Sequence, residues 1–119
     1  MRYMLLIYTD ETKDSAATQE ENAAIMAAYN AFGEEVRDRI ISGEALVPTS
    51  SATSVRVRDG EKMITDGPFA ETKEQLAGFY MIEARDLNDA IQIAAKIPPA
   101  REGSIEVRPV RQLNPEKYV

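Results

Sequence analysis

The side chains best suited to chemistry lie in and just after the segment 66–74, whose sequence is DGPFAETKE. Asp66 and Glu71 carry carboxylates that could act as general bases, and the Tyr80 phenol could donate to a developing oxyanion. Asp, Gly and Pro in succession also form turns, so Asp66 has an alternative structural role. Phe69 is the one large apolar side chain of the segment, and we expect it to fasten this loop to the rest of the protein.

Further side chains could hold a small molecule at such a site. Lys73, Arg56 and Arg108 could bind a carboxylate or another anion. Tyr8 could donate a hydrogen bond beside Tyr80. Each has an ordinary alternative, because charged side chains are mostly solvated or paired across strands, and tyrosines are often part of the core. These residues predict a site for a small polar or anionic molecule, and they leave the structural alternatives open.

The 119-residue chain contains no histidine and no cysteine. This excludes a Ser-His-Asp triad, a Cys-His pair, a His-Asp dyad, a disulfide framework and most zinc sites. The sequence has no glycine-rich phosphate loop, and we predict neither a cofactor nor a metal. Its net charge of −6 is unfavourable for binding nucleic acid, which requires a basic face. No run of residues is long and apolar enough for a membrane span, and Met1 is followed directly by a strand pattern, so we expect a cytoplasmic protein.

The elements that must position these residues follow from periodicity and capping signals. Residues 2–8 form a strand pattern that is apolar on both faces. Thr18 and Glu21 form a capping box, which predicts a helix from Gln19 to about Ile41. Gly43 fits the stop signal of that helix. The intervening residues 10–17 are polar and small, and we interpret them as a loop.

A β-hairpin is predicted at Asp59-Gly60, the strongest short-range signal for a two-residue turn. The turn sets the register, which pairs Val55 with Ile64 and Arg56 with Met63. Residues 78–82 form a strand that is apolar on both faces, and 104–110 form a last strand that ends at an edge or bulge because of Pro109. Between these two strands lies a helix that Asp86 caps and that Pro98-Pro99 ends. Leu46 and Val47 could begin a further short strand.

This order predicts an α+β fold of the ferredoxin-like βαββαβ type with an inserted β-hairpin, in which two helices cover one face of an antiparallel sheet. The other sheet face is also apolar along the two long strands. We therefore expect a homodimer in which this face packs on a second copy, as in a dimeric α+β barrel. The domain is predicted to span residues 1–110, with a polar tail at 111–119.

The sequence resembles the YCII-related family, and within it the branch named for the DGPF motif. The matching segments are DGPFAETKE at 66–74, GFY at 78–80, RYMLLIY at 2–8, SGEAL at 42–46, IP at 97–98 and GSIEVRP at 103–109. The resemblance implies the dimeric α+β barrel superfamily, in agreement with the pattern above. Relatives in the family have been proposed to use a His-Asp pair, which this histidine-free chain cannot supply. Some proteins of the branch are associated with transcription factors of the sigma type, which suggests a biological context.

Two functions follow from these observations. The first is a dimer that binds a small polar or anionic organic molecule in a cleft near the DGPF loop and could carry out cofactor-free acid–base chemistry. The second is a ligand-binding or interaction module without turnover, which could be linked to transcription regulation. A purely structural role would require no pocket.

Overall fold

The computed structural model describes residues 1–114 of the chain. In chain order the elements are β1 (Arg2–Thr9), α1 (Glu11–Ser15), α2 (Gln19–Glu35), β2 (Ile40–Ala45), β3 (Thr53–Arg58), β4 (Glu61–Asp66), β5 (Gln75–Glu83), α3 (Leu87–Ala94) and β6 (Ser104–Pro109). Short 3₁₀ helices lie at Arg37–Arg39, Thr49–Ser51 and Pro98–Arg101. The predicted tail at 111–119 extends beyond the described residues.

Four strands form an antiparallel sheet in the order β2-β5-β1-β6. Alternate residues of each strand face the helices and pack with α2 and α3 into one core. This core contains Tyr3, Leu5, Ile7, Phe32, Val36, Ile82, Ala84, Ala90, Ile93, Ala94 and Ile97. Burial of these apolar side chains drives folding. The α+β, ferredoxin-like fold predicted from the sequence is confirmed.

Capping and turn signals have the predicted local structure. The Thr18 side chain accepts a hydrogen bond from the Glu21 backbone at 3.1 Å, which completes the capping box at the start of α2. The Asp86 carboxylate accepts from the Asp89 backbone at 2.8 Å at the start of α3. Asp59 and Gly60 both have positive φ, as a two-residue hairpin turn of type I′ requires. The predicted pairing of β3 with β4 is confirmed along their whole length.

The predicted end of α2 was wrong. The helix ends at Glu35 rather than near Ile41, and Ile40 already pairs with Ile82 in the sheet. β-branched residues suit a pleated strand better than a helix, and Ile40 and Ile41 follow this preference. Gly43 is therefore a strand residue opposite Tyr80, where an added Cβ would lie 2.6 Å from the tyrosine ring. The glycine permits close approach of a ring and does not end a helix.

Two shorter segments also differ from expectation. Residues Glu11–Ser15 form helix α1 where a loop was expected, because the Asp10 carboxylate caps it by accepting from the Thr12 backbone at 2.9 Å. Leu46 and Val47 lie outside the strands, since β2 ends at Ala45. The Leu46 backbone still donates to the Ala77 carbonyl at 2.8 Å, which holds this segment against β5.

Candidate functional site

A cleft of about 260 Å³ opens beside α1, where β1 ends. Its lining residues come from β1, α1, the segment after β2 and β5. They are Thr9, Glu11, Asp14, Ser15, Leu46, Val47, Pro48 and Ala77. The cleft thus combines hydroxyl and carboxylate oxygen atoms with apolar side chains.

The geometry of α1 explains how its polar side chains reach the cleft. Glu11, Asp14 and Ser15 are spaced at i, i+3 and i+4, so they share one face of the helix. The Glu11 backbone donates to the Gln75 side chain at 3.0 Å, which ties the start of α1 to the start of β5. A five-residue helix is therefore held in place by its cap and by the neighbouring strand.

The two carboxylates of the cleft have different surroundings. Glu11 accepts hydrogen bonds from the backbone and hydroxyl of Thr49 at 2.7 and 2.8 Å, so it joins α1 to the 3₁₀ turn after residue 48. Asp14 accepts one hydrogen bond, at 2.6 Å, from the Thr9 hydroxyl. A carboxylate has room for several hydrogen bonds, and Asp14 is therefore the better placed of the two to bind a ligand.

Tyr29 on α2 and Tyr80 on β5 are partly buried phenols, and Tyr29 is within electrostatic range of both Tyr80 and Asp14. Burial, followed by the proximity of Tyr80 and Asp14, raises the pKa of Tyr29 to about 12. Burial also raises the pKa of Tyr80, whose ring lies 5.2 Å from that of Phe32. A tyrosine phenol is protonated at neutral pH, and burial favours this neutral form of both groups further.

Several residues singled out from the sequence lie on the hairpin and in the loop that follows it. Asp66 is the last residue of β4 and is exposed, as is Arg56 on β3. Glu71 and Lys73 are exposed in the segment between β4 and β5. None of the four lines the cleft described above. Their predicted roles as bases or anion ligands remain predictions.

The remaining three candidates are separated by the sheet. Tyr80 pairs with Leu5 and Gly43 and faces the helices. Tyr8 and Arg108 lie on the opposite face, and the Arg108 guanidinium is 3.5 Å from the Glu106 carboxylate. Because the four-stranded sheet stands between them, Tyr80 does not share a pocket with Tyr8 or Arg108 within one chain.

The DGPF loop is held by backbone contacts at its start rather than by its aromatic residue. The Gly67 backbone donates to the Ala52 carbonyl at 2.7 Å, and its carbonyl accepts from the Ser54 hydroxyl at 2.8 Å. Phe69 is 81% exposed, so the expectation that it fastens the loop was wrong. Gly67 has a φ of +96°, a conformation that glycine adopts without strain.

Sequence reasoning missed the residues that line the cleft. Thr9, Glu11, Asp14 and Ser15 fall in a stretch that was interpreted as the end of a strand followed by a loop. The available signal was Asp10, an N-cap residue followed at once by acidic Glu11, which is typical of a helix start. Leu46, Val47 and Ala77 carry no local signal, because their meeting with α1 depends on the sheet.

Among residues 1–114, the acidic side chains include no group of three or more arranged to hold a metal ion. None of the helices in this part of the chain is both long and apolar enough to cross a membrane.

The fold defines a ferredoxin-like α+β protein, and comparison with known proteins gives its family. The sequence model of the YCII-related domain family matches residues 1–114 of this chain. An uncharacterised protein of Rhizobium meliloti (strain 1021) is 40% identical over 119 residues, which cover 97% of this chain and 96% of that protein. The chain belongs to the YCII-related family.

Proposed function

We propose that this protein is a homodimer that binds a small polar organic molecule in the cleft beside α1. The observation that carries the proposal is the composition of the cleft, where Asp14 and Thr9 lie alongside Leu46, Val47 and Ala77. Ligand sites are typically concave and largely apolar, with a few polar groups that orient the ligand. The volume of about 260 Å³ suits a small molecule. The DGPF motif at residues 66–69 further supports membership of the branch named for it.

The polar groups of the cleft favour a ligand that donates hydrogen bonds. Carboxylate oxygens only accept hydrogen bonds, and Glu11 and Asp14 bring such oxygens to the cleft. An amine or a hydroxyl compound fits this set better than an anion does. The cleft is not lined by the cations that the sequence suggests as anion ligands, which are Lys73, Arg56 and Arg108.

Cofactor-free acid–base chemistry is the second candidate function for this cleft. Asp14, whose carboxylate lines the cleft, would accept a proton from the bound molecule. Asp66 and Glu71 remain alternative bases if the DGPF loop contributes to a site at the subunit boundary.

A homodimer is supported by the sheet face that points away from the helices. Met4, Leu6, Tyr8, Phe79 and Met81 share this face and are only partly buried. A contiguous apolar surface of this kind marks an interaction site, and two-fold symmetry is the commonest way to cover one with a second copy. The same contact would complete a dimeric α+β barrel.

The cleft is tested by ligand-observed NMR with a panel of small amines, polyols and carboxylic acids. We expect amines and polyols to bind and Asp14→Asn to weaken their binding about tenfold, which corresponds to ~1.4 kcal/mol. Asp38→Asn is the matched control, because it removes one carboxylate from an exposed position outside the cleft. A preference for carboxylic acids, or equal losses in both variants, would contradict the assignment. Prolonged incubation then separates binding from turnover, since an unchanged ligand indicates binding alone.

The dimer is tested by sedimentation of the wild-type protein and of Leu6→Glu. We expect the wild-type protein to sediment as a dimer and the variant as a folded monomer, because the new charge lies on the contact face. Met26→Glu is the control, since Met26 is an exposed apolar residue of α2. A well-folded wild-type monomer at high concentration would overturn the dimer proposal.

A further inference from the structure

The β3–β4 hairpin stands apart from the four-stranded sheet as a separate two-stranded sheet. Every residue of its two strands except Ser54 is exposed. The described part of the chain is flat, with extents of 48 × 43 × 19 Å and a radius of gyration of 16.7 Å. A compact domain of this length would have a radius of gyration of roughly 13–14 Å. The hairpin is therefore an extension of the domain.

One face of the hairpin is apolar at its centre. Val55 and Ile64 form a cross-strand pair, and Val57 lies next to them on the same face. Their exposed fractions are 60%, 65% and 58%. An isolated two-stranded hairpin is marginally stable in water, and one with three β-branched side chains exposed on one face gains stability from a covering surface.

The ends of the same face carry opposite charges. Lys62 pairs with Val57 next to the turn, and Asp66 pairs with Thr53 at the base of the hairpin. Cross-strand partners share a face, so the order along β4 is a cation, the apolar Ile64 and a carboxylate. A surface with this order is complementary to its own copy turned end to end.

We propose that this face of the hairpin packs on the same face of a second copy, with the two hairpins antiparallel. The two-fold axis runs between the two hairpins, perpendicular to the strands and level with the Val55–Ile64 pair. It places each Ile64 opposite its symmetry mate and Lys62 opposite Asp66 of the partner subunit. Stacking with both turns at the same end would bring the two lysines together, so the charges select the antiparallel arrangement. Facing sheets of this kind lie about 10 Å apart.

This contact is distinct from the proposed sheet-face dimer, because its residues lie on the separate two-stranded sheet. Three side chains per copy cover much less than the ~1,200–2,000 Å² of a stable interface. The hairpin contact therefore adds to a larger contact between copies, or forms on its own only at high concentration. Leu6→Glu separates the two, because this residue lies in the four-stranded sheet and not on the hairpin.

The chain contains no cysteine, so a single introduced thiol reports on this contact. We expect Ile64→Cys to give a covalent dimer with a short bis-maleimide reagent, because the two residues lie across the two-fold axis. Met63→Cys is the matched control, since its side chain is 52% exposed on the opposite face of the same strand. Cross-linking of Ile64→Cys, at least tenfold faster than that of Met63→Cys, supports the proposal. Equal rates, or no cross-linked dimer, overturn it.

Charge exchange provides a second test of the antiparallel arrangement. Lys62→Glu and Asp66→Lys should each slow cross-linking of Ile64→Cys several-fold, because each places like charges opposite one another. The two changes together should restore the rate, since they reverse both partners. Failure of the restoration, with circular dichroism showing a folded protein, overturns the arrangement. Cross-linking that persists in Leu6→Glu shows that the hairpin contact survives loss of the sheet-face dimer.

Discussion

The four-stranded sheet and the β3–β4 hairpin are both antiparallel, but only the sheet has a face covered by helices. Leu5 and Ile82 of the sheet are inaccessible to solvent, whereas Val55, Val57 and Ile64 of the hairpin are mostly exposed. All five are apolar strand residues. The difference teaches that pairing within the hairpin is decided locally by its turn, while burial is decided by what the rest of the chain places above a strand.

The largest expected difference between the two regions is in the free energy of unfolding after one apolar side chain is truncated in each. Leu5→Ala should lower the free energy of unfolding by about 2–5 kcal/mol, because it leaves a cavity in the core. Val57→Ala should change it by less than about 0.5 kcal/mol in dilute solution, since the side chain is exposed. Urea unfolding of both variants measures the contrast. A large loss in dilute Val57→Ala would show that the hairpin is covered within a single chain.

The success of the fold prediction has the same local origin. Asp59-Gly60 determined the hairpin register, and Thr18 and Asp86 determined two helix starts, because each signal acts through neighbouring backbone groups. The end of α2 was missed because the weak local strand preference of Ile40 and Ile41 takes effect only through the pairing of Ile40 with Ile82, which is distant in sequence.

The candidate site was harder to predict because it depends on contacts between distant segments. The residue types of the DGPF loop predict a site there, but Phe69 is exposed and Asp66 does not line the cleft. Asp14 was overlooked in a polar stretch, and its setting depends on Thr9 and on Tyr29 in the next helix. Residue types indicate possible chemistry, and the fold decides which of them meet.

A smaller loss of stability is expected when either of two glycines is replaced by alanine, and the physical reason differs between them. Gly43→Ala should destabilise the protein by about 1–3 kcal/mol, because the new Cβ would lie 2.6 Å from the Tyr80 ring in the sheet. Gly60→Ala places a side chain at a φ of +79°, which costs about 1–2 kcal/mol in the hairpin turn.

Hydrogen exchange distinguishes where the two costs appear. We expect Gly43→Ala to accelerate exchange throughout the sheet, since the core opens as one unit. Gly60→Ala should accelerate exchange only in β3 and β4, because the hairpin can open without exposing the core. Faster exchange of β1 and β5 amides in Gly60→Ala would show that the two regions open together.

The smallest expected effect is on the pH dependence of stability, and it appears only at acidic pH. The Asp89 side chain is only 8% exposed, and its carboxylate accepts from the Arg85 backbone at 2.9 Å and from the Arg85 and Arg39 guanidinium groups. The Arg85 backbone donor, followed by these guanidinium groups, lowers the pKa of Asp89 to about 2. An unfolded chain has an aspartate pKa of about 3.9. The contribution of Asp89 to stability is thus complete above about pH 4 and is lost as the pH falls towards 2.

Urea unfolding between pH 2 and 7 tests this dependence. Asp89→Asn should lower the unfolding midpoint at pH 7 and reduce its fall below pH 4, because the variant has no carboxylate to protonate at this position. Asp59→Asn, in the hairpin turn, is the control and should leave the acid dependence of the core unchanged, since asparagine also favours the positive φ of this residue. If both variants flatten the acid dependence equally, the assignment of this dependence to the Asp89 carboxylate is wrong.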